Sequence, residues 1–244
     1  MVTADARNEL VLVSLYPAEM NIYGDQGNVR ALTRRIRQFG FIPRVIELNI
    51  GDDMPEHVDI VIGGGGQDSG QVRVAHDLQR HRKALNRLAV EGTPMLMICG
   101  MYQLFGHEFT TAGGERLPGI GVLDVTTTGS DVRMIGNVVV SSNDFGEIIG
   151  YENHSGDTVV GSASSPLGTV IVGAGNNPRD KSEGARSHNV IGSYLHGSVL
   201  PKNPELCDFL VATAAINRYG SVTRPQTDNA VVNRARAQSK SRPR

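Results

Sequence analysis

The chain has 244 residues, 24 Lys and Arg against 25 Asp and Glu, a net charge of −1, 39% hydrophobic and 20% charged residues. These are globular values, enough to bury a core without staples, and the near-zero charge leaves no electrostatic footprint for nucleic acid. No segment approaches the ~20 apolar residues of a membrane span, MVTADARNELVLVSLYP lacks the pattern of an export signal, and two cysteines, Cys99 and Cys207, form no disulfide framework, so a cytoplasmic location is expected.

ELVLVSLY (9–16) predicts the first strand, and GNVRALTRRIRQFG a helix with Val29, Leu32, Ile36 and Phe39 at helical spacing, closed by Gly40. FIPRVIEL (41–48) and VDIVIGG (58–64) predict two more strands. The stretch 71–91 carries Val74, Leu78, Leu85 and Leu88 on one side and ends at Gly92, a helical pattern. PMLMI (94–98) is continuously apolar, as in a strand buried on both faces. This alternation predicts an α/β fold: a mostly parallel sheet with helices on both faces. After Gly113 the texture changes. Segments 120–128, 132–142, 147–151, 158–161, 168–173 and 189–195 are β-rich and broken by Gly, Asn, Asp and Ser, predicting extra strands in the C-terminal half that extend or flank the sheet. NPELCDFLVATAAINRYG (203–220) predicts a closing helix with Asn203 as N-cap, Pro204 in first position and Gly220 past the end. Cys207 on it reads as a small buried hydrophobe. No linker or repeat divides residues 1–224, so one domain is expected there. From 225 to 244, Arg234, Arg236, Lys240, Arg242 and Arg244 face a single acid, Asp228, and the polar composition predicts a solvated, disordered basic tail.

Two glycine clusters stand at strand ends. GGGGQDSG (63–70) has P-loop glycine spacing, yet Gln71 and Val72 occupy the positions of the phosphate-binding Lys and Ser/Thr. What remains is a run of backbone amides at the carboxyl end of a strand, where open α/β sheets place their sites and where amides stabilise an oxyanion. YGDQGN (23–28) sits similarly after the first strand, and an N-cap loop and a binding loop describe it equally well.

Cys99 lies at a strand-to-helix turn in MLMICGMYQLFG, backed by Gly100. A thiolate there is favoured by the helix dipole and free amides, and the sharp turn holds the side chain out of the core, toward a carbonyl carbon. The Gly100 amide would face the same space as a second oxyanion donor beside Gly65. Such a nucleophile needs a base. His57, His76, His81, His107 and His188 lie in polar or helical surface contexts, which leaves His154 in GYENHSG and His196 in IGSYLHGSV. His196 follows a strand (190–195), and parallel strands would bring it to the same sheet edge as Cys99.

The order strand–GGGGQD, strand–ICGMYQ, GYENHSG and SYLHG resembles the class I glutamine amidotransferases of flavodoxin-like fold, and their CobB/CobQ-like branch in particular. Within it, LYPAEMNIYGDQGN, VIGGGGQD, VRMIGN and GYENHSG resemble the GatD-like glutaminase subunits of lipid II isoglutaminyl synthase, over about residues 9–200. The resemblance implies Cys99 as nucleophile, His196 as base, Arg133 as a substrate-binding residue, and Gln103 as the glutamine of C-x-x-x-Q. A guanidinium also suits the α-carboxylate of L-glutamine, which it grips with two prongs. No side-chain role is assigned to Tyr151, Glu152, Asn153 or His154, because the family holds substrate with backbone there. The resemblance further implies no metal or cofactor in this chain, and a heterodimer with a MurT-like ligase that uses ATP and Mg. That partner would use the ammonia to amidate the D-glutamate α-carboxyl of the lipid II stem peptide. A stand-alone cysteine hydrolase, a subunit of a different amide ligase, and a catalytically dead binding subunit are the competing readings.

Two positions depart from the family pattern. Met97 and Met101 replace the small residues of the G-x-C-x-G elbow, predicting a less strained turn or a tighter pocket. Ser198 stands where class I enzymes carry an acid two residues after the histidine, predicting that a carboxylate of the ligase partner completes the site in trans, with an internal acid, Glu152 first, as the alternative should the isolated chain be fully active.

Overall fold

The structure is a computed structural model and describes residues 8–227 and 229–241. The apolar runs of the N-terminal half form parallel strands alternating with helices: β1 (Glu9–Leu15), α1 (Gln26–Gln38), β2 (Ile42–Leu48), β3 (Ile60–Gly63), α2 (Asp68–Val90), β4 (Met95–Ile98) and α3 (Gly100–Phe105). Two later strands, β11 (Ala185–Ser187) and β12 (Val190–Ser193), complete one sheet in the order β11-β12-β4-β3-β1-β2, parallel except for β11. The order 2-1-3-4 followed by one more parallel strand is the flavodoxin-like arrangement. Every residue of β3, β4 and β12 is buried, as strands covered on both faces require. Helix α1 packs against α4 (Val199–Lys202) and α5 (Pro204–Tyr219), and α2 against α3. No helix among the described residues is long and apolar enough to cross a membrane.

Of the expected extra strands, 189–195 extends this sheet as β12, whereas the others form a second one. It comprises β5 (Glu108–Thr110), β6 (Arg116–Pro118), β7 (Val125–Ser142), β8 (Gly146–Val160), β9 (Gly168–Val172) and β10 (Ser182–Glu183), in the order β10-β9-β7-β5-β6 with β8 on β7. Segments expected as four short strands between 120 and 161 are two long ones: β7 and β8 pair from Ser142↔Gly146 to Val125↔Val160, and cross-strand hydrogen bonds carry the chain through its glycines. The register slips between Gly129 and Met134, so β7 bulges where β8 does not. Strands β5, β6, β10 and β11 have two or three residues each, too short for a periodic signal.

Two expectations near the C-terminus change. Asn203 occupies the N-cap position of α5, but its side chain makes no capping bond; it pairs with the backbone of Ile149 at 2.8 and 2.9 Å and donates to Val199 O at 2.7 Å. The expected disordered tail contains a helix, α6 (Ala230–Ser241), although none of its residues is buried. Charge pins it: Arg236 donates to Lys202 O, Asn203 Oδ1 and Glu147, and Lys240 Nζ lies 2.6 Å from Glu147 Oε2. Asp228, Arg242 and Arg244 lie outside the described residues. Cys207 is buried as expected, and burial pushes its thiol up to about 12.

Candidate active site

Parallel pairing brings the ends of β1, β3, β4 and β12 to one edge, and the predicted residues meet there. Cys99 ends β4 with φ 50° and ψ −105°, a left-handed torsion that a non-glycine residue adopts only under local constraint. The constraint is visible: Cys99 N–H donates to Ser193 O of β12 at 2.8 Å, and Cys99 O accepts from Gln103 N–H at 3.0 Å. The turn thus keeps a positive φ at Cys99 with Met97 and Met101 on either side. Their room comes from the neighbouring strand, where a methyl added at Gly63 would lie 2.8 Å from Met101 Cγ and 3.1 Å from Met97 Sδ.

His196 leaves the end of β12 and is tied to β8 by its N–H to Tyr151 O, 2.7 Å. A methyl added at Gly65 would lie 3.1 Å from both Cys99 Cβ and His196 Cε1, so the glycine run, the thiol and the imidazole converge on one point. His196 is 1% exposed, and neither ring nitrogen has a hydrogen-bond partner among the described residues. Burial, with the nearby His154 adding to it, holds its pKa down to about 3. The suspected internal acid does not serve it. Both oxygens of the Glu152 carboxylate accept from the N–H groups of Ala174 and Gly175, between 2.8 and 3.2 Å.

His154, the other contender, turns away from that role. It stacks on Tyr194 with ring centroids 3.6 Å apart, its Nδ1 lies 3.0 Å from Gly156 O, and burial lowers its pKa to about 4. Since a carbonyl only accepts, Nδ1 carries the proton and the ring is neutral. Of the histidines expected at the surface, His81 is instead buried in α2, 3.7 Å from Asp77.

A cavity of about 440 Å³ opens over Cys99, bordered by Gly66, Gln71, Gln103, Arg133 and Asn153. Arg133 lies within the β7 bulge, which takes it out of the ladder and aims it at the cavity. Its Nε donates to Asn153 Oδ1 at 2.8 Å. Gln103 forms the floor, accepting from Gln71 Nε2 at 2.7 Å and donating to Tyr194 OH at 3.1 Å, with one N–H left over. Gln71, which the sequence marks only as a missing P-loop lysine, is thus a buried polar support of the site.

One expected donor is engaged elsewhere. Gly65 N–H gives its hydrogen bond to Asp25 Oδ2 at 3.0 Å, while Gly65 O accepts from Ile22 N–H at 3.1 Å. Asp25 is buried, and that desolvation raises its pKa to about 6. Asp25 and Tyr23 are marked in the sequence only through the YGDQGN loop, whose place after β1 suits an N-cap and a binding loop equally.

A model of the CobB/CobQ-like glutamine amidotransferase domain matches residues 11–204. The chain is 36% identical over 245 residues to the GatD subunit of the glutamine-hydrolyzing lipid II isoglutaminyl synthase of Staphylococcus aureus strain N315, covering 96% of this chain and all of that one. It is 37% identical to the corresponding subunit of Streptococcus pneumoniae strain R6, covering 87% of this chain and 83% of that one. Among solved structures, a glutamine amidotransferase superposes with a TM-score of 0.58 at 14% identity, covering 83% of this chain and 98% of that one, a likeness of fold alone. By family model and by full-length identity, the chain belongs to the CobB/CobQ-like glutamine amidotransferases, in the group that includes the GatD subunits.

Proposed function

We propose that the chain is the glutaminase subunit of a lipid II isoglutaminyl synthase. It hydrolyses L-glutamine to glutamate and ammonia in the cytoplasm and passes the ammonia to a MurT-like ligase, which with ATP and Mg amidates the D-glutamate of the lipid II stem peptide to D-isoglutamine. The observation that carries this reading is the 36% identity spanning the whole of the Staphylococcus aureus GatD subunit.

In the proposed mechanism Cys99 gives its proton to His196 and its thiolate attacks the glutamine side-chain carbonyl carbon. The oxyanion is held by Gly100 N–H and a neighbouring amide of the glycine run; with Gly65 N–H on Asp25, the Gly66 amide bordering the same cavity is the better placed. Arg133 binds the substrate α-carboxylate. The imidazolium passes its proton to the departing nitrogen, which leaves as ammonia. His196 then takes a proton from water, hydroxide attacks the thioester, glutamate leaves, and the proton returns to Cys99. The imidazolium is costly here, because burial depresses His196 and no carboxylate among the described residues bonds it. A carboxylate of the ligase partner completes the site in trans.

The test is ammonia release from glutamine by the purified chain, alone and with its ligase. Slow release alone, a marked rise with the partner, and loss of that rise on replacing one interfacial acid of the partner are expected. No release in either state would overturn the glutaminase reading, and full activity of the isolated chain would overturn the partner carboxylate.

A further inference from the structure

The turn after β1 carries the one sequence motif still without a role. Tyr23 lies against His196 with ring centroids 4.2 Å apart and planes inclined at 53°. The next residue, Gly24, accepts Ser198 Oγ at 2.9 Å, so this turn is also bonded to the loop that carries the histidine. Asp25 takes the Gly65 N–H. The Tyr23 hydroxyl reaches the other side of the cavity, 3.4 Å from both Asn153 O and Arg133 Nη2. Three consecutive residues thus touch the base, the carboxylate clamp and the glycine run.

We propose that Tyr23 is a positioning residue of the glutaminase reaction: its ring sets the plane of the His196 imidazole, and its hydroxyl registers Arg133 against that base. The inference rests on reading Cys99 and His196 as nucleophile and base. An imidazole with no bond to either nitrogen among the described residues has a broad, nearly two-fold χ2 well, and within this chain packing selects its orientation. Tyr23 supplies that packing, and its phenol stays neutral because burial first, and the Cys99 charge next, raise its pKa. The ring also keeps water off His196. The titratable groups around the imidazole are Cys99, His154 and Tyr23, with Asp25 and Arg133 beyond Tyr23 and Lys202 Nζ near Gly197. Among the described residues, Tyr23 alone meets the ring with another ring.

The experiment compares the full chain with Tyr23→Leu, Tyr23→Phe and Cys99→Ala in glutamine hydrolysis across pH. Tyr23→Leu is expected to lower kcat about tenfold or more, as for a base that spends only a small fraction of its time correctly aimed, and to raise KM for glutamine by the same severalfold as Tyr23→Phe, since both lose the hydroxyl that meets Arg133. Hydration of the freed imidazole moves its pKa back toward the ordinary value of about 6.5, so the acid limb of the kcat profile shifts to higher pH. Tyr23→Phe keeps the flat face and is expected to hold kcat within about twofold while raising KM severalfold, since only the link to Arg133 is lost. A Tyr23→Leu chain with wild-type kcat and an unmoved acid limb overturns the proposal, as does a Tyr23→Phe chain that loses kcat as severely as Tyr23→Leu. Should leucine unfold the chain, Tyr23→Met fills the space without a flat face and carries the same expectation. Undiminished hydrolysis by Cys99→Ala would instead bring down the underlying Cys–His reading, a separate outcome from intact Tyr23 variants beside a dead Cys99→Ala.

Discussion

Replacing Gly65 with alanine places a methyl group between the nucleophile and the base. The new Cβ would lie 3.1 Å from Cys99 Cβ, 3.1 Å from His196 Cε1 and 3.6 Å from Cys99 Sγ. Gly65 does not have a positive φ, so alanine adopts the backbone without strain, and the N–H to Asp25 is retained. Contacts at that distance require the neighbours to give by a few tenths of an ångström; such overpacking costs about 1–3 kcal/mol, offset by about 0.4–1 kcal/mol from the stiffer unfolded chain. The net loss of about 1–2 kcal/mol lowers Tm by about 2–8 °C in a protein of this size. The effect on chemistry is larger. The substrate carbonyl carbon has to bond Sγ in the space the methyl takes, and a displacement of about 1 Å at the reacting centre costs on the order of 100-fold, or about 2.7 kcal/mol of barrier. Ammonia release from glutamine should therefore fall at least about 100-fold in a chain whose thermal unfolding and near-ultraviolet dichroism remain close to wild type. Two neighbours serve as controls. Gly70→Ala meets Glu19 O at 3.4 Å and Glu19 Cβ at 3.9 Å, ordinary contacts, and should leave stability and activity intact. Gly64→Ala drives a methyl into the Met20 carbonyl and to 2.7 Å from Asp25 Cβ, and should lose fold and activity together. Wild-type turnover by Gly65→Ala would refute the placement of this residue against the reacting atoms.

Cys99→Ala should abolish glutamine hydrolysis with the fold intact, whereas Cys207→Ala, at a buried position far from the cavity, should cost about 1 kcal/mol of stability and no activity in a paired assay of unfolding and ammonia release. Arg133→Ala removes a charge-assisted contact of about 1.5–3 kcal/mol, so kcat/KM for glutamine should drop at least about tenfold, and Arg133→Lys should rescue poorly because an ammonium lacks the fork. Equal activity of all three proteins would make Arg133 a bystander. Glu183 is fully buried, accepting from Tyr194 N–H at 2.7 Å and Ser193 Oγ at 3.1 Å, and burial raises its pKa to about 7. Because the folded value lies above the unfolded one, its contribution is complete below the unfolded pKa and lost as pH rises through about 7. Urea unfolding should show the stability of Glu183→Gln gaining about 2–3 kcal/mol on wild type between about pH 5 and 8; a difference independent of pH would show that Glu183 titrates normally.

Local pattern determined much of this molecule. Continuous apolar runs such as MLMI can only be buried strands in a chain this polar, a 3.6-residue repeat such as that of Val29, Leu32 and Ile36 makes α1, and a cysteine followed by glycine at the end of such a run marks the elbow. These are properties of a few neighbouring residues, so they are written in the sequence. Tertiary structure decided what depends on pairing between distant segments. β7 and β8 look like four short strands because glycine and asparagine interrupt them, yet cross-strand hydrogen bonds override those interruptions. Arg133 faces the cavity because the β7–β8 register slips around it, and Glu152 is withdrawn from His196 by the N–H groups of Ala174 and Gly175. Asp25 holds Gly65 across 40 positions and Tyr23 meets an imidazole far along the chain. Such contacts follow from strand order and register, set by the sum of burial over the whole sheet, and no local periodicity encodes which loop will lie against which.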